Sequence, residues 1–180
     1  MDYDVVIIGG GPSGLATAIK LAQTFKEKNL DKSICVLEKS AEIGGHILSG
    51  NVFETTALDE LIPDWKEKGA PLDVKVKRDA IKFLINDKYS LPVPSFVMPT
   101  MQNHGNYILS LGNLCRWLAE QAEALGVDIF PGFPAAEIIF KDGKVAGVIT
   151  GDMGVDAEGN PKDTFQPGME IIANEATVFA

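Results

Sequence analysis

The sequence predicts an α/β fold on a parallel sheet, and three observations carry that prediction. An apolar run, Tyr3 to Ile8, is followed by an amphipathic stretch and a second apolar run, Ser33 to Leu37, the alternation expected of a βαβ unit whose strands are buried on both faces. Between the first run and the amphipathic stretch lies Gly9-Gly10-Gly11-Pro12-Ser13-Gly14, which fits G-x-G-x-x-G in the strand-to-helix context that gives the pattern meaning. The second run ends at Glu38, where a Rossmann-like unit carries its ribose-binding carboxylate.

The elements follow in order. Tyr3 to Ile8 is a strand. Gly14 to Lys28 places Leu15, Ala18, Ile19, Ala22 and Phe25 at helical spacing, with lysines elsewhere. After the turn Asn29 to Lys32 comes the second strand, which the right-handed crossover rule sets beside the first. From Lys39 to Asn106 the pattern is irregular and broken by five prolines. A short helix is expected over Thr56 to Ile62, and a hairpin from Ile81–Ile85 and Tyr89–Val93 about Asn86-Asp87-Lys88. Tyr107 to Leu125 carries an apolar helical stripe stopped by Gly126. Val127 to Phe130 reads as a strand, and Ala136–Phe140 with Val145–Thr150 as a hairpin about Lys141-Asp142-Gly143-Lys144. Asp152 to Gly168 reads as a polar loop, and Met169–Ala173 and Ala176–Phe179 as two strands. The organisation expected is one domain: a βαβ core over 1–39, an insertion over 40–106, and a helix with a β-meander over 107–180. The apolar strand at Ala180 has no polar cap after it, so the domain reads as truncated at its C-terminus.

Composition bounds the function. The 180 residues carry 16 Lys and Arg against 25 Asp and Glu, a net charge of −9; so acidic a surface repels a phosphate backbone, and nucleic acid is not an expected partner. Two cysteines and two histidines make neither a disulfide framework nor a spaced metal-ligand set. The start, Met1-Asp2-Tyr3-Asp4, is neither a signal nor a transit peptide, so the expected compartment is the cytoplasm.

In the glycine motif, Gly9 allows the tight turn, Gly11 lets backbone approach a pyrophosphate and Gly14 lets helix and strand pack closely. The amide groups and positive end of the helix attract the anion. Glu38 accepts hydrogen bonds from ribose hydroxyls and disfavours a 2′-phosphate. The Gly44-Gly45 doublet follows quickly, then His46-Ile47-Leu48-Ser49-Gly50. That is the course expected in FAD-binding domains of glutathione-reductase type, where backbone runs past the dinucleotide a second time; an NAD domain would continue with another helix and strand.

On these residues and on longer stretches, the whole chain resembles the electron-transfer flavoprotein–ubiquinone oxidoreductase family. The stretches are Val5 to Gly14, Leu37-Glu38-Lys39, Ile43 to Gly50, Pro63-Asp64-Trp65-Lys66-Glu67-Lys68-Gly69-Ala70-Pro71, Pro92-Val93-Pro94, Asn103-His104-Gly105-Asn106-Tyr107 and Glu120 to Val127. The Pro63–Pro71 and Asn103–Tyr107 stretches are more specific than the dinucleotide pattern. The resemblance implies FAD, a 4Fe-4S cluster and ubiquinone in a full-length enzyme that is monotopic on one face of a membrane, the cytoplasmic face in a bacterium. Electrons would come from electron-transfer flavoprotein. It implies that Gly9, Gly11, Pro12, Ser13 and Gly14 contact the pyrophosphate, that Glu38 holds the ribose with Lys39 beside it, and that Gly45, His46, Ser49 and Gly50 line the dinucleotide path. Ala135 or Ala136 would meet the adenine. Cys35 and Cys115 cannot supply a cluster's four thiolates, so the cluster ligands would lie beyond this sequence and the piece alone would be inactive. The alternatives are another FAD-dependent oxidoreductase of the same fold, geranylgeranyl-reductase-like or FixC-like, and a non-catalytic nucleotide-binding module.

Cys35 and Cys115 read as core residues, His46 as a loop histidine with proton donation the alternative, His104 as a turn residue, and Arg116 as a solvated helix residue. Asn86 to Met101 is apolar, proline-broken and without a regular period, and is read as a segment that dips into one leaflet without spanning it.

Overall fold

The computed structural model describes residues 1–48, 50–156 and 160–180. In chain order the elements are β1 (Asp2–Ile8), α1 (Pro12–Glu27), β2 (Ile34–Glu38), β3 (Asn51–Phe53), α2 (Thr56–Leu61), β4 (Val74–Lys75), β5 (Ile81–Leu84), β6 (Ser90–Val93), β7 (Tyr107–Leu109), α3 (Leu111–Glu123), β8 (Asp128–Pro131), β9 (Ala135–Lys141), β10 (Lys144–Thr150), β11 (Met153–Val155), β12 (Pro161–Gln166) and β13 (Glu170–Phe179). They fall into two compact units, 1–48 with 111–180, and 49–110.

The first unit is a six-stranded sheet in the order β8-β2-β1-β13-β10-β9. β8, β2, β1 and β13 run parallel, and β10 and β9 are antiparallel additions. α1 and α3 pack against each other, with Leu15, Ala18 and Ile19 of α1 fully buried. Val6, Ile7, Cys35 and Val36 are fully buried as well, which is why β1 and β2 read as continuous apolar runs. A cluster of Tyr3, Val6, Cys35, Leu37, Val148, Ile171 and Ala173 forms one core. The second unit pairs β3-β7-β4 in one sheet and β5-β6 in another. Its core is Trp65, which is buried, meets Tyr107 edge-on at 5.8 Å and donates its indole N–H to Asp59 at 2.6 Å. The Pro63-Asp64-Trp65 stretch is therefore a packing motif of this unit.

Three expectations are corrected. The helix expected from Tyr107 begins at Leu111, because Tyr107–Leu109 pairs with β3 and β4; β-forming residues given two partners override an apolar spacing that also suits a helix. The polar loop expected over 152–168 contains the ribbon β11–β12, whose second strand is exposed throughout and so shows no alternation to read. The two strands expected after it are one, β13, with an irregularity where Tyr3 pairs Ala173 and Val5 pairs Ala176. The extra residue brings Glu175 to Lys32, which also pairs Asp4.

Candidate functional site

At the carboxyl ends of the parallel strands an open cleft of about 470 Å³ is lined by residues of the β1–α1 turn, of β2 and the loop after it, and of the start of β9. The turn is built by exclusion of side chains. Gly9 takes φ +112°, and a Cβ there would lie 2.5 Å from the Ala180 carbonyl oxygen. A Cβ on Gly14 would run into the Gly9 carbonyl, so α1 seats directly on the turn. Gly11 is the N-cap of α1 at φ −81°, ψ −178°, with no side-chain cap. Nothing lies within 4 Å of a Cβ built on it. The first-turn amides of a helix have no intrahelical partner, and Pro12 at N1 removes the one that would be redundant. Thus the positive end of α1 opens on space that protein atoms leave free.

Glu38 stands across from it. One carboxylate oxygen accepts the Gly10 N–H at 2.8 Å and the other accepts the Ser40 N–H at 2.7 Å. The carboxylate is thereby fixed at the rim, with acceptor capacity left over. The strand end behind it is locked by Gly132 N–H to Ser40 carbonyl, 2.7 Å, and Phe133 N–H to Glu38 carbonyl, 2.9 Å.

Of the residues expected in the site, Gly9, Gly11, Glu38, Lys39 and His46 line the cleft, the last two exposed. Pro12, Ser13 and Gly14 form the helix start behind Gly11. Gly45 lies beside the lining; the space of its missing side chain is taken by Ser40 Oγ. Ala135 lines the cleft and Ala136 does not. Gly50 belongs to the 49–110 unit, and Ser49 lies outside the described residues. Gly44 of the expected doublet lines the cleft, as do Gly10, Pro134 and Ala180, to which the sequence assigned no role there. A Cβ on Gly10 would be 2.6 Å from Ile43 Cδ1 and 3.1 Å from Glu38 Cβ. At Gly44 (φ +81°) one would be 2.6 Å from the Gly112 carbonyl oxygen. The close approach made by the glycine doublet is therefore to the first turn of α3.

Arg116, exposed as expected, spends its guanidinium on the Ile43 carbonyl at 3.3 Å and on Asn113 Oδ1 at 2.8 Å. His104 sits exposed in a turn closed by Asn106 N–H to the Asn103 carbonyl. Both cysteines are buried and free. Burial pushes the Cys35 thiol up to about 12 and the Cys115 thiol to about 11, the reverse of what a metal ligand or nucleophile requires. No cluster of three or more metal-ligating side chains occurs among the described residues.

Turn, helix end and facing carboxylate sit on a Rossmann-like α/β fold, and residues 7–64 match the family model described as an NAD(P)-binding Rossmann-like domain. Over its whole length the chain is similar to electron transfer flavoprotein-ubiquinone oxidoreductases. It is 56% identical over 183 residues to that of Pseudomonas aeruginosa, covering 100% of this chain and 33% of that protein. To the mitochondrial one of Arabidopsis thaliana it is 49% identical over 182 residues, covering 100% and 28%. The chain thus spans about a third of the length of the curated relatives it matches. Among solved structures, a geranylgeranyl bacteriochlorophyll reductase-like protein of Thermoplasma acidophilum superposes with TM-score 0.69 over 99% of this chain and 39% of that one, at 24% identity. That likeness establishes the shared fold.

Proposed function

We propose that this chain is the FAD-binding part of an oxidoreductase that passes electrons from reduced electron-transfer flavoprotein to ubiquinone. The observation that carries the flavin reading is the free space over Gly11, faced by the Glu38 carboxylate. The electron-transfer reading is supported by the similarity across the whole chain. The residues fit a dinucleotide. The Gly11, Ser13 and Gly14 amides and the α1 dipole would hold the pyrophosphate, Glu38 would accept the ribose hydroxyls and discriminate against a 2′-phosphate, and Lys39, His46 and Ala135 would bound the path. When bound, the flavin supplies a centre that accepts and passes on electrons. This chain's part is to bind and orient it. A 4Fe-4S cluster does not fit Cys35 and Cys115, and its ligands would have to come from elsewhere.

The second half of the reading is a membrane surface, for a bacterial protein the cytoplasmic face of the inner membrane. No helix among the described residues is long and apolar enough to cross a bilayer. The hairpin β5–β6 supports attachment to one leaflet. Its register pairs Ile81 with Val93 and Phe83 with Leu91, and Ile85 N–H bonds the Tyr89 carbonyl, so six apolar side chains share one face. Phe83 is 65% exposed and Leu91 57%, and the following turns add Phe96 at 81%. A period of two is present after all; it begins at Ile81, ahead of the segment in which no period was read. An apolar two-stranded ribbon of this kind is not stable in water by itself, and each large side chain removed from water contributes about 1.5–3 kcal/mol.

The test uses the whole protein. Its visible spectrum and a denaturation extract should give FAD. With reduced electron-transfer flavoprotein as donor it should reduce a ubiquinone analogue, and removal of the flavin should abolish the reaction. A flavin-replete protein inert toward that donor would sink the electron-transfer reading and leave only the flavin reading.

A further inference from the structure

We infer that the apolar face of the hairpin is matched to anionic phospholipid headgroups by a collar of basic side chains. This rests on the membrane reading above and adds the lipid chemistry that the surface selects. Between Val74 and Ile108 the sequence carries Lys75, Lys77, Arg78, Lys82 and Lys88 against only Asp79 and Asp87, in a chain whose net charge is −9. The acidic balance therefore belongs to the rest of the molecule, and this segment carries a net positive charge.

All five cations are exposed. The ion pairs found among the described residues are made by Lys32 and Lys68 and involve none of them. Lys75 lies over the Tyr107 ring at 6.0 Å, while Asp79 spends a carboxylate oxygen on the Asn103 N–H at 2.6 Å.

The register gives the collar its geometry. Lys82 pairs with Pro92 on the face opposite Phe83 and Leu91, and Lys88 stands in the turn, its N–H held by Asn86 Oδ1 at 2.9 Å. A hairpin lying with its apolar face on the acyl boundary turns Lys82 away from the tails, on the headgroup side of the thin ribbon, and leaves Lys88 at its turn edge. Arg78 precedes Ile81 by three residues, at most about 11 Å of chain, near one Debye length of about 10 Å at 0.1 M salt.

An apolar face rimmed by cations is the arrangement that binds anionic bilayers. A protein so acidic overall is otherwise repelled by such a surface, so the collar has to offset that repulsion. Each basic residue near the surface contributes roughly fivefold in partition.

The experiment floats the whole protein with vesicles of phosphatidylcholine alone and of equal parts phosphatidylcholine and phosphatidylglycerol. It compares the natural protein with the variant Lys77→Gln, Arg78→Gln, Lys82→Gln, Lys88→Gln, whose altered side chains are all exposed. The natural protein should partition at least tenfold better to the anionic vesicles, and raised salt should erase the difference. The variant should bind the neutral vesicles as the natural protein does and the anionic ones no better than the neutral ones. Equal binding of the natural protein to both vesicles, unchanged in the variant, would overturn the inference while leaving the membrane reading intact. Failure to bind either composition would overturn both. Unaltered vesicle partition combined with a raised KM for electron-transfer flavoprotein would assign the cations to an acidic protein partner and overturn the lipid assignment.

Discussion

Gly11→Val separates the fold from the ligand. At φ −81°, ψ −178° the backbone is extended, a conformation that β-branched residues accept, and nothing lies within 4 Å of the new Cβ. No strain in the turn is therefore expected. Replacing Gly by a non-capping residue at an N-cap costs about 0.5–1 kcal/mol, and loss of glycine's freedom in the unfolded chain returns about 0.4–1 kcal/mol, so the flavin-free variant should melt within a few degrees of the natural protein. The ligand fares differently. The valine methyls occupy the space assigned to the pyrophosphate, and even one lost hydrogen bond to a charged group costs about 1.5–3 kcal/mol, roughly ten- to hundredfold in affinity. The assay is a fluorescence titration of FAD into deflavinated protein, with a thermal melt of the same samples. Gly14→Ala is the control: its Cβ meets the Gly9 carbonyl, so it should lower stability and affinity together. A Gly11→Val protein that binds FAD with natural affinity would refute the assignment of that space.

Glu38→Ala should lower both the melting temperature and FAD affinity, because the carboxylate holds the Gly10 and Ser40 amides as well as the proposed ribose; a loss of affinity alone would mean that the brace is dispensable. Gly44→Ala places a side chain at φ +81° and 2.6 Å from the Gly112 carbonyl oxygen, a cost of about 2–4 kcal/mol that should appear as a fall in Tm of roughly 5–15 °C. In the 49–110 unit, the Trp65 indole N–H and then the Thr55 hydroxyl hold Asp59 below its ordinary pKa. Its contribution to stability is complete above the ordinary carboxylate value and lost as pH falls through the lowered one. Trp65 fluorescence in a Trp117→Phe background should report acid unfolding whose pH dependence is reduced by Asp59→Asn. Replacing Phe96, Val97 and Met98 with Ser should move the whole protein from liposomes to the soluble fraction and slow reduction of long-tailed quinones more than of water-soluble ones; unchanged partition and preference would make the segment a covering loop.

The parts of the fold that were legible are those whose signals are local. β1, α1 and β2 are written in consecutive residues, and the β9–β10 hairpin in Asp142-Gly143, both of which take positive φ. The sheet β3-β7-β4 was not legible, since its partners Phe53, Lys75 and Tyr107 lie far apart in sequence and no short window contains the pairing. The same holds in the cleft. Gly9, Gly11 and Glu38 announce themselves by spacing, whereas the use of Gly44 depends on Gly112, far along the chain. Gly10 was passed over because it fills an unconstrained place in the motif, although Ile43 and Glu38 leave it no room for a side chain. The β5–β6 hairpin was legible in its turn residues, whereas the apolar face it shares was not, because that depends on which residues pair across it.

The most direct measurement is a crystal structure of the whole protein with FAD. The pyrophosphate should lie over Gly11, with phosphate oxygens about 2.7–3.2 Å from the amides that open α1, and the adenosine ribose should reach the Glu38 carboxylate. Flavin density placed away from the β1–α1 turn, with the space above Gly11 filled by water, would contradict the account.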